Sequence, residues 1–102
     1  MPDPLVRIAS VAEHATDEHA LAYLAHVEAE IAYEESFNAA YEECEESSHA
    51  AKERYANSRA APERAAMKRA KADEVKWSRK AKAALAELSA MQTHSRLVGG
   101  QT

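Results

Sequence analysis

Hydrophobic residues recur along this chain at helical spacing, and few residues interrupt them. Asp3 and Pro4 suit a helix start, because aspartate accepts from the free N–H groups of the first turn and proline fits that turn. Three large apolar residues then fall on one side of this helix: Leu5, Ile8 and Val11. We expect a short helix over about residues 4–14, followed by a new N-cap at Thr16.

A long helix is then expected from about residue 17 to about residue 58. Its apolar positions alternate at intervals of three and four residues, which is the pattern of a coiled-coil seam. They form two runs: Ala20, Leu24, Val27 and Ile31, then Phe37, Tyr41, Cys44, Ser48, Ala51, Tyr55 and Ser58. Because the two runs are out of register with each other, we expect an irregularity near Glu34.

A turn is expected at about residues 58–61, within the stretch "NSRAAPER", and Pro62 is suited to open the next helix. This helix should run from about residue 62 to about residue 97, before a flexible tail at 98–102 that contains Gly99. Its seam positions also alternate by three and four: Met67, Ala70, Glu74, Trp77, Ala81, Ala84, Leu88, Met91 and Ser95.

The predicted fold class is all-α: a long antiparallel coiled-coil helical hairpin, with the short N-terminal helix packed at the end away from the turn. The numbers of facing residues should add up to about 120, which puts Glu74 opposite residues 44–48 with Tyr41 as a hydrogen-bond partner. The far end should gather an apolar core from all three helices: Leu5, Ile8, Val11, Leu21, Leu24, Val27, Ile31, Leu85, Leu88, Met91 and Val98.

Composition narrows the class of protein. With 102 residues the chain forms one domain at most, and 24 of them are alanine. Leu, Ile, Val and Phe number only 14, so the helices should pack through alanine, and a homodimer would help to bury apolar surface. The single cysteine, Cys44, permits no internal disulfide and suits a reducing compartment. Without a signal-peptide pattern or a membrane-spanning apolar run, we expect a soluble, cytoplasmic protein with no membrane partner.

Charge is divided unevenly along the sequence. Residues 8–51 contain 11 acidic residues and no Lys or Arg, whereas residues 52–82 contain 11 basic and four acidic residues. Five glutamates should point away from the seam: Glu35, Glu42, Glu43, Glu46 and Glu53. A row of carboxylates suits a partner protein with a basic surface, or imitates a phosphate backbone, although long helices also need charge for solubility.

The basic stretch supports an alternative, which is nucleic-acid binding. Its candidate residues are Arg64, Lys68, Arg69, Lys76, Arg79 and Lys80. These bases surround the helix instead of sharing one face, and Trp77 among them occupies a seam position. The same pattern therefore fits charge balance around a buried tryptophan.

No catalytic constellation stands out in the sequence. Glu42, Glu46 and His49 have the spacing of metal ligands on a helix, but they would point into water and no second Glu-x-x-His accompanies them. We expect no metal and no cofactor, and without a Gly-rich phosphate loop or a placed nucleophile we expect no enzyme. His19 and His26 lie seven residues apart, which allows either a pH-sensitive contact or plain surface positions.

Several features occur together between Tyr33 and Val98: Tyr33-Glu34, Tyr41, the charged turn, Trp77 and the run "AKAALAELSAMQTHSRLV". Together they resemble the small alanine-rich helical accessory proteins of tailed bacteriophages. The resemblance implies a phage context and an accessory role, and it assigns no binding residues.

We therefore expect a non-enzymatic accessory protein that binds and modulates or inhibits a host or phage protein through the acidic helix face. A nucleic-acid-binding defence factor of the host would be a fitting target. The alternatives are a nucleic-acid-binding accessory protein acting through the basic third helix and a self-assembling structural coiled coil.

Overall fold

The computed structural model describes residues 3–99, and these residues form three α-helices. They are α1 (Pro4–Glu43), α2 (His49–Arg59) and α3 (Ala61–Gly99). The all-α fold class is confirmed. The described residues group into two compact units, which we call the terminal unit (residues 3–21 and 74–99) and the central unit (residues 22–73).

Helix α1 begins where the sequence predicts, but the expected short helix over residues 4–14 does not end there. The Asp3 carboxylate caps the first turn by accepting from the Leu5 N–H at 2.9 Å. Thr16 does not act as a new N-cap, because its hydroxyl donates to the Ala12 carbonyl at 2.8 Å and is satisfied inside the helix. Helix α1 therefore continues without a break to Glu43, also through the expected irregularity at Glu34.

The long helix predicted over residues 17–58 is interrupted at residues 44–48. Four glutamates crowd this point, at positions 42, 43, 45 and 46, and the last turn of α1 has no basic residue. Carboxylates are unfavourable at a helix C-terminus, where the helix dipole is negative. Ser48 then starts α2, because its hydroxyl accepts from the Ala51 N–H at 3.3 Å.

The turn predicted at residues 58–61 lies at the expected place but shrinks to a single residue, Ala60, which is fully buried. Pro62 ends the ladder of α2 because it has no N–H to donate to a carbonyl one turn earlier. Helix α3 reaches Gly99, so Val98 and Gly99 are helical and not part of a flexible tail. The rest of the predicted tail, residues 100–102, lies outside the described residues.

The predicted inward positions of α3 are buried or half-buried over most of the run. Ala81 and Ala84 are buried, whereas Ser95, the last position of the predicted run, is exposed. The other seam positions are half-buried: Met67, Ala70, Glu74, Trp77, Leu88 and Met91.

The inward side of α1 differs from the prediction. Most of its buried and half-buried positions recur at intervals of three and four residues, and we call these the inner seam: Leu5, Ile8, Ala12, Ala15, His19, Ala22, His26, Ala29, Tyr33, Ser36 and Ala40. The run expected to face inward, Ala20, Leu24, Val27 and Ile31, instead lies on the opposite side of the helix, and only Val27 of these four is half-buried. Because each residue is rotated by about 100° around the helix axis from the one before it, the two runs lie on different faces and cannot both point inward.

The interior is built of alanine, so the apolar core of large side chains predicted from the sequence is wrong. The buried residues are Ala12, Ala15, Ala22, Ala40, Cys44, Ala56, Ala60, Ala81 and Ala84. Six residues assigned to that core are exposed: Val11, Leu21, Leu24, Ile31, Leu85 and Val98. Small residues on α1 leave room for the larger Trp77 of α3, which lines a cavity together with Ala15 and Ala84.

The register of the helices also differs from the expected one. Glu74 does not lie opposite residues 44–48, because its carboxylate is 3.6 Å from Nε2 of His19. The neighbouring contact is an edge-on approach of His14 to Trp77, with ring centroids 5.8 Å apart. The register differs because residues 4–21 belong to the same helix as residues 22–43, so they pack against α3 where a separate short helix was expected.

Candidate interaction site

The most acidic part of the molecule is the corner where α1 ends and α2 begins. Glu43, Glu45 and Glu46 are exposed there, and they line an open cavity of about 520 Å³ with Cys44 and Tyr55. Cys44 itself is buried and carries a free thiol. The corner belongs entirely to the central unit.

The five glutamates predicted to bind a partner do not form one continuous row. Glu35 and Glu42 lie seven residues apart on the same side of α1, and both are exposed. Glu46 belongs to the non-helical segment 44–48. The other two have partners within the chain, since Glu43 lies 3.6 Å from Arg59 and Glu53 lies 3.2 Å from His49.

The positive charge of Arg59 lies beside the acidic residues of this corner. The Tyr55 hydroxyl, and after it the Glu43 carboxylate, raise the pKa of the Arg59 guanidinium above its ordinary value. The guanidinium also stacks over the Tyr55 ring, 5.6 Å from its centroid. Arg59 therefore stays charged at every pH of interest and neutralises part of the acidic corner.

His49 uses both ring nitrogens within the chain. Nδ1 shares a hydrogen bond of 2.6 Å with the Tyr41 hydroxyl, and Nε2 lies 3.2 Å from Glu53. The sequence had suggested Glu74 as the hydrogen-bond partner of Tyr41, but the Tyr41 hydroxyl bonds to His49. All three groups are accessible to water, so a proton on this chain exchanges with solvent. Among residues 3–99 no group of acids, histidines and cysteine is arranged to hold a metal ion.

A row of aromatic rings on α1 was missed in the sequence, although its spacing of four residues is a signal for neighbours on one helix face. Ring centroids lie 6.1 Å apart for Tyr33 and Phe37, and 6.4 Å apart for Phe37 and Tyr41. Two bases cover the ends of this row, Arg64 over Tyr33 at 5.9 Å and Lys52 over Tyr41 at 5.4 Å. The row joins the three helices of the central unit.

The candidate nucleic-acid residues divide between engaged and open side chains. Arg64 donates to the Asn57 side chain in addition to covering Tyr33. In the terminal unit, Lys76 and Lys80 lie over Trp77, at 5.3 Å and 4.7 Å from the ring centroid. The remaining candidates are exposed: Lys68, Arg69 and Arg79.

Trp77 is half-buried, with His14 at its edge and two lysines against it. A tryptophan that stacks on a nucleic-acid base needs an open ring face. The prediction that Trp77 occupies a seam position is confirmed, and its ring is already in contact with side chains of the same unit.

His19 and His26 both lie on the inner seam and are half-buried, so neither is a plain surface residue. His19 faces Glu74 across the terminal unit, and His26 lies 3.9 Å from Glu30 on the next turn of α1. The two histidines therefore belong to different units and do not form one cluster.

The other side of α1 carries an apolar surface that we call the outer stripe: Leu24, Val27 and Ile31. Leu24 is 55% exposed and Ile31 is 49% exposed. Glutamates border the stripe on both sides, and all of them are exposed: Glu28, Glu30, Glu34 and Glu35. The sequence had shown the stripe correctly but had assigned it to the interior.

Within residues 3–99 no helix is long and apolar enough to cross a bilayer. No protein-family model, no curated protein and no solved structure matches this chain.

Proposed function

We propose that this chain is a non-enzymatic interaction protein that binds a protein with a basic surface through the acidic outer side of α1. Following the resemblance to phage accessory proteins, its role would be to modulate or inhibit a host or phage protein in the cytoplasm. Glu35 and Glu42 are the residues we assign to the contact first.

One observation carries this proposal. Glu28, Glu35 and Glu42 recur every seven residues on one side of α1, and each is exposed. None of the three takes part in an ion pair with another residue of the described chain. With no Lys or Arg between residues 8 and 51, the charged residues that α1 places on this side are all acidic and contribute a negative field. Such a field attracts a basic partner and speeds its association.

The engagement of the basic residues favours this function over nucleic-acid binding. Arg64, Lys76 and Lys80 contact aromatic rings of their own unit, which leaves fewer free cations for phosphates. Sequence-independent binding to nucleic acid depends on releasing counterions from several phosphates at once. We therefore keep nucleic acid as an outcome of the experiment below.

We further propose that α1 and α3 pack as an antiparallel coiled coil. Both seams repeat by three and four residues, and the contact of His14 with Trp77 is followed by that of His19 with Glu74. Rising numbers on α1 thus meet falling numbers on α3 in the terminal unit.

The test is affinity capture from a bacterial lysate with tagged protein, with and without nuclease, compared with the variant Glu35→Lys/Glu42→Lys. A captured protein should survive nuclease and fall at least about tenfold with the variant, because losing the two charge contacts should weaken binding by about 1.5 kcal/mol or more in total. Circular dichroism checks that the helix content is unchanged.

The matched control is Glu13→Lys/Asp17→Lys, which makes the same change of charge at exposed positions earlier on α1. It should retain the captured protein. Equal loss with both double variants would mean that only net charge matters, and equal retention would remove the acidic face as the binding site. Capture that disappears with nuclease would point to nucleic acid.

A further inference from the structure

The outer stripe and the inner seam lie back to back on α1. At 100° per residue, Leu24, Val27 and Ile31 are centred about 160° around the helix from Ala22, His26 and Ala29. The inner seam faces α3 and is mostly alanine, whereas the larger aliphatic residues face away from it. Helix α1 thus has one side that packs within the chain and a second apolar side on which Leu24 and Ile31 are exposed.

The spacing of the outer stripe is that of a helix-binding surface. Its members are related as i, i+3 and i+7, the set of anchor positions that an apolar groove or seam between two helices uses. Val27 is half-buried, and the two larger residues beside it are about half exposed, 55% for Leu24 and 49% for Ile31. A second helix laid along the stripe would cover all three side chains.

The charged residues beside the outer stripe indicate which kind of partner helix would fit it. In the heptad defined by the stripe, the flanking positions include Glu28 and Glu35 on one side and Glu30 on the other. Interhelical pairs at these positions set the choice of partner. Carboxylates on both sides favour a helix whose own apolar stripe is bordered by Lys and Arg.

A second copy of this chain fits less well. Two α1 helices would place glutamates against glutamates at the flanking positions, and like charges in contact oppose association. The basic part of α3 has no apolar stripe to offer, because its large apolar side chains between residues 61 and 84 are half-buried: Met67, Val75 and Trp77.

We infer that the outer stripe of α1 is the docking site for a basic amphipathic helix of another protein. This inference rests on the proposed function and adds the secondary structure and chemistry of the partner. The partner helix would place leucine, isoleucine or valine on Leu24, Val27 and Ile31. Its bases would lie beside the flanking glutamates.

The experiment measures fluorescence anisotropy of labelled designed peptides titrated with the full chain. The first peptide has Leu and Ile at heptad positions a and d with Lys and Arg at e and g. The second keeps the bases but has Ala at a and d, and the third keeps the apolar residues but has Glu at e and g. We expect the first peptide to bind at least tenfold more tightly than either of the others.

Variants then locate the site. Leu24→Gln/Ile31→Gln should weaken the first peptide at least tenfold. The control Leu85→Gln/Leu97→Gln removes two exposed leucines from α3, 49% and 65% exposed, and should leave binding unchanged. Both stripe residues are half exposed, so the fold should persist, and circular dichroism checks this.

Each contrary result has a distinct meaning. Equal binding of the first two peptides would overturn the inference and leave the acidic-face function standing. No binding of any basic peptide would overturn the inference, while the lysate capture tests the function separately. Sedimentation of the protein alone as a dimer that Leu24→Gln/Ile31→Gln abolishes would assign the stripe to a second copy and also overturn it.

Discussion

At the scale of single residues, alanine decides how this chain packs. Among residues 3–99, every buried position except Cys44 is alanine. Where only a methyl group is buried, any larger side chain at that position must displace the neighbouring helix. The protein therefore depends on small volume at its buried positions more than on hydrophobicity.

We predict that Ala12→Leu lowers the free energy of unfolding by about 1–3 kcal/mol, because the added carbons have no space between the helices. Ala12 is only 2% exposed. The measurement is urea unfolding followed by circular dichroism.

The control substitution is Ala9→Leu, at an exposed position one turn earlier on α1. It should change the free energy of unfolding by less than about 0.5 kcal/mol. If the two variants were equally stable, the inner seam would have been assigned to the wrong side of α1.

At the scale of helices, the sequence predicted α3 better than α1. The large residues of α3, such as Trp77 and Met91, share the seam with its alanines, so one pattern marks the inward side. Helix α1 carries two patterns with the same spacing, one alanine-rich and one containing Leu24 and Ile31. Judged by hydrophobicity, the pattern with Leu24 and Ile31 should face inward. The alanine-rich pattern faces inward instead, because the large residues of α3 need small residues opposite them.

The break after α1 was missed for a related reason. Ser48, Ala51 and Tyr55 continue the apolar spacing through it, whereas the local signals for a break are the glutamates and the Ser47-Ser48 pair. The acidic residues of the candidate site were selected from charge alone, and their role in binding stays a prediction. The contact of Glu43 with Arg59 could not be predicted, because it joins α1 to α2 and exists only when α2 is a separate helix. The pair of His49 and Glu53 was missed, although its spacing of four residues on α2 is a signal for neighbours on one helix face.

We predict that Ser48→Ala lowers the free energy of unfolding by about 1 kcal/mol, since the Ala51 N–H loses the hydroxyl that caps α2. Cleavage by a glutamate-specific protease in residues 45–46 should become faster as α2 frays. Denaturant unfolding and timed proteolysis measure the two effects.

Ser47→Ala provides the comparison, because Ser47 is also exposed but does not cap α2. Its stability and cleavage rate should match those of the original chain. An equal loss of stability in both variants would show that the break does not depend on the cap.

At the scale of the whole molecule, two compact units share two helices. Helices α1 and α3 each pass from one unit into the other without a break in their hydrogen-bond ladders. If the part of a helix in one unit melts, the part in the other unit becomes a shorter helix with a newly exposed end. Short helices in isolation are marginal in water. The two units should therefore lose their structure together.

Each unit contains its own natural probe of this coupling. Trp77, the single tryptophan, reports on the terminal unit, and the buried thiol of Cys44 reports on the central unit. We predict that tryptophan fluorescence and the rate of thiol modification change at the same denaturant concentration, as two-state unfolding requires. Thiol modification that rises well before the fluorescence changes would mean that the central unit opens independently.

The alanine interior has a consequence for the response to temperature. The heat capacity of unfolding comes mainly from apolar surface that becomes exposed, at about 12–15 cal/mol/K per residue in ordinary domains. Leu21, Leu24 and Leu85 already contact water in the folded state, so unfolding exposes less new apolar surface here. The curve of stability against temperature should be flatter than usual. Such a protein would lose stability on cooling more gradually than an ordinary domain does, so its cold denaturation would need lower temperatures.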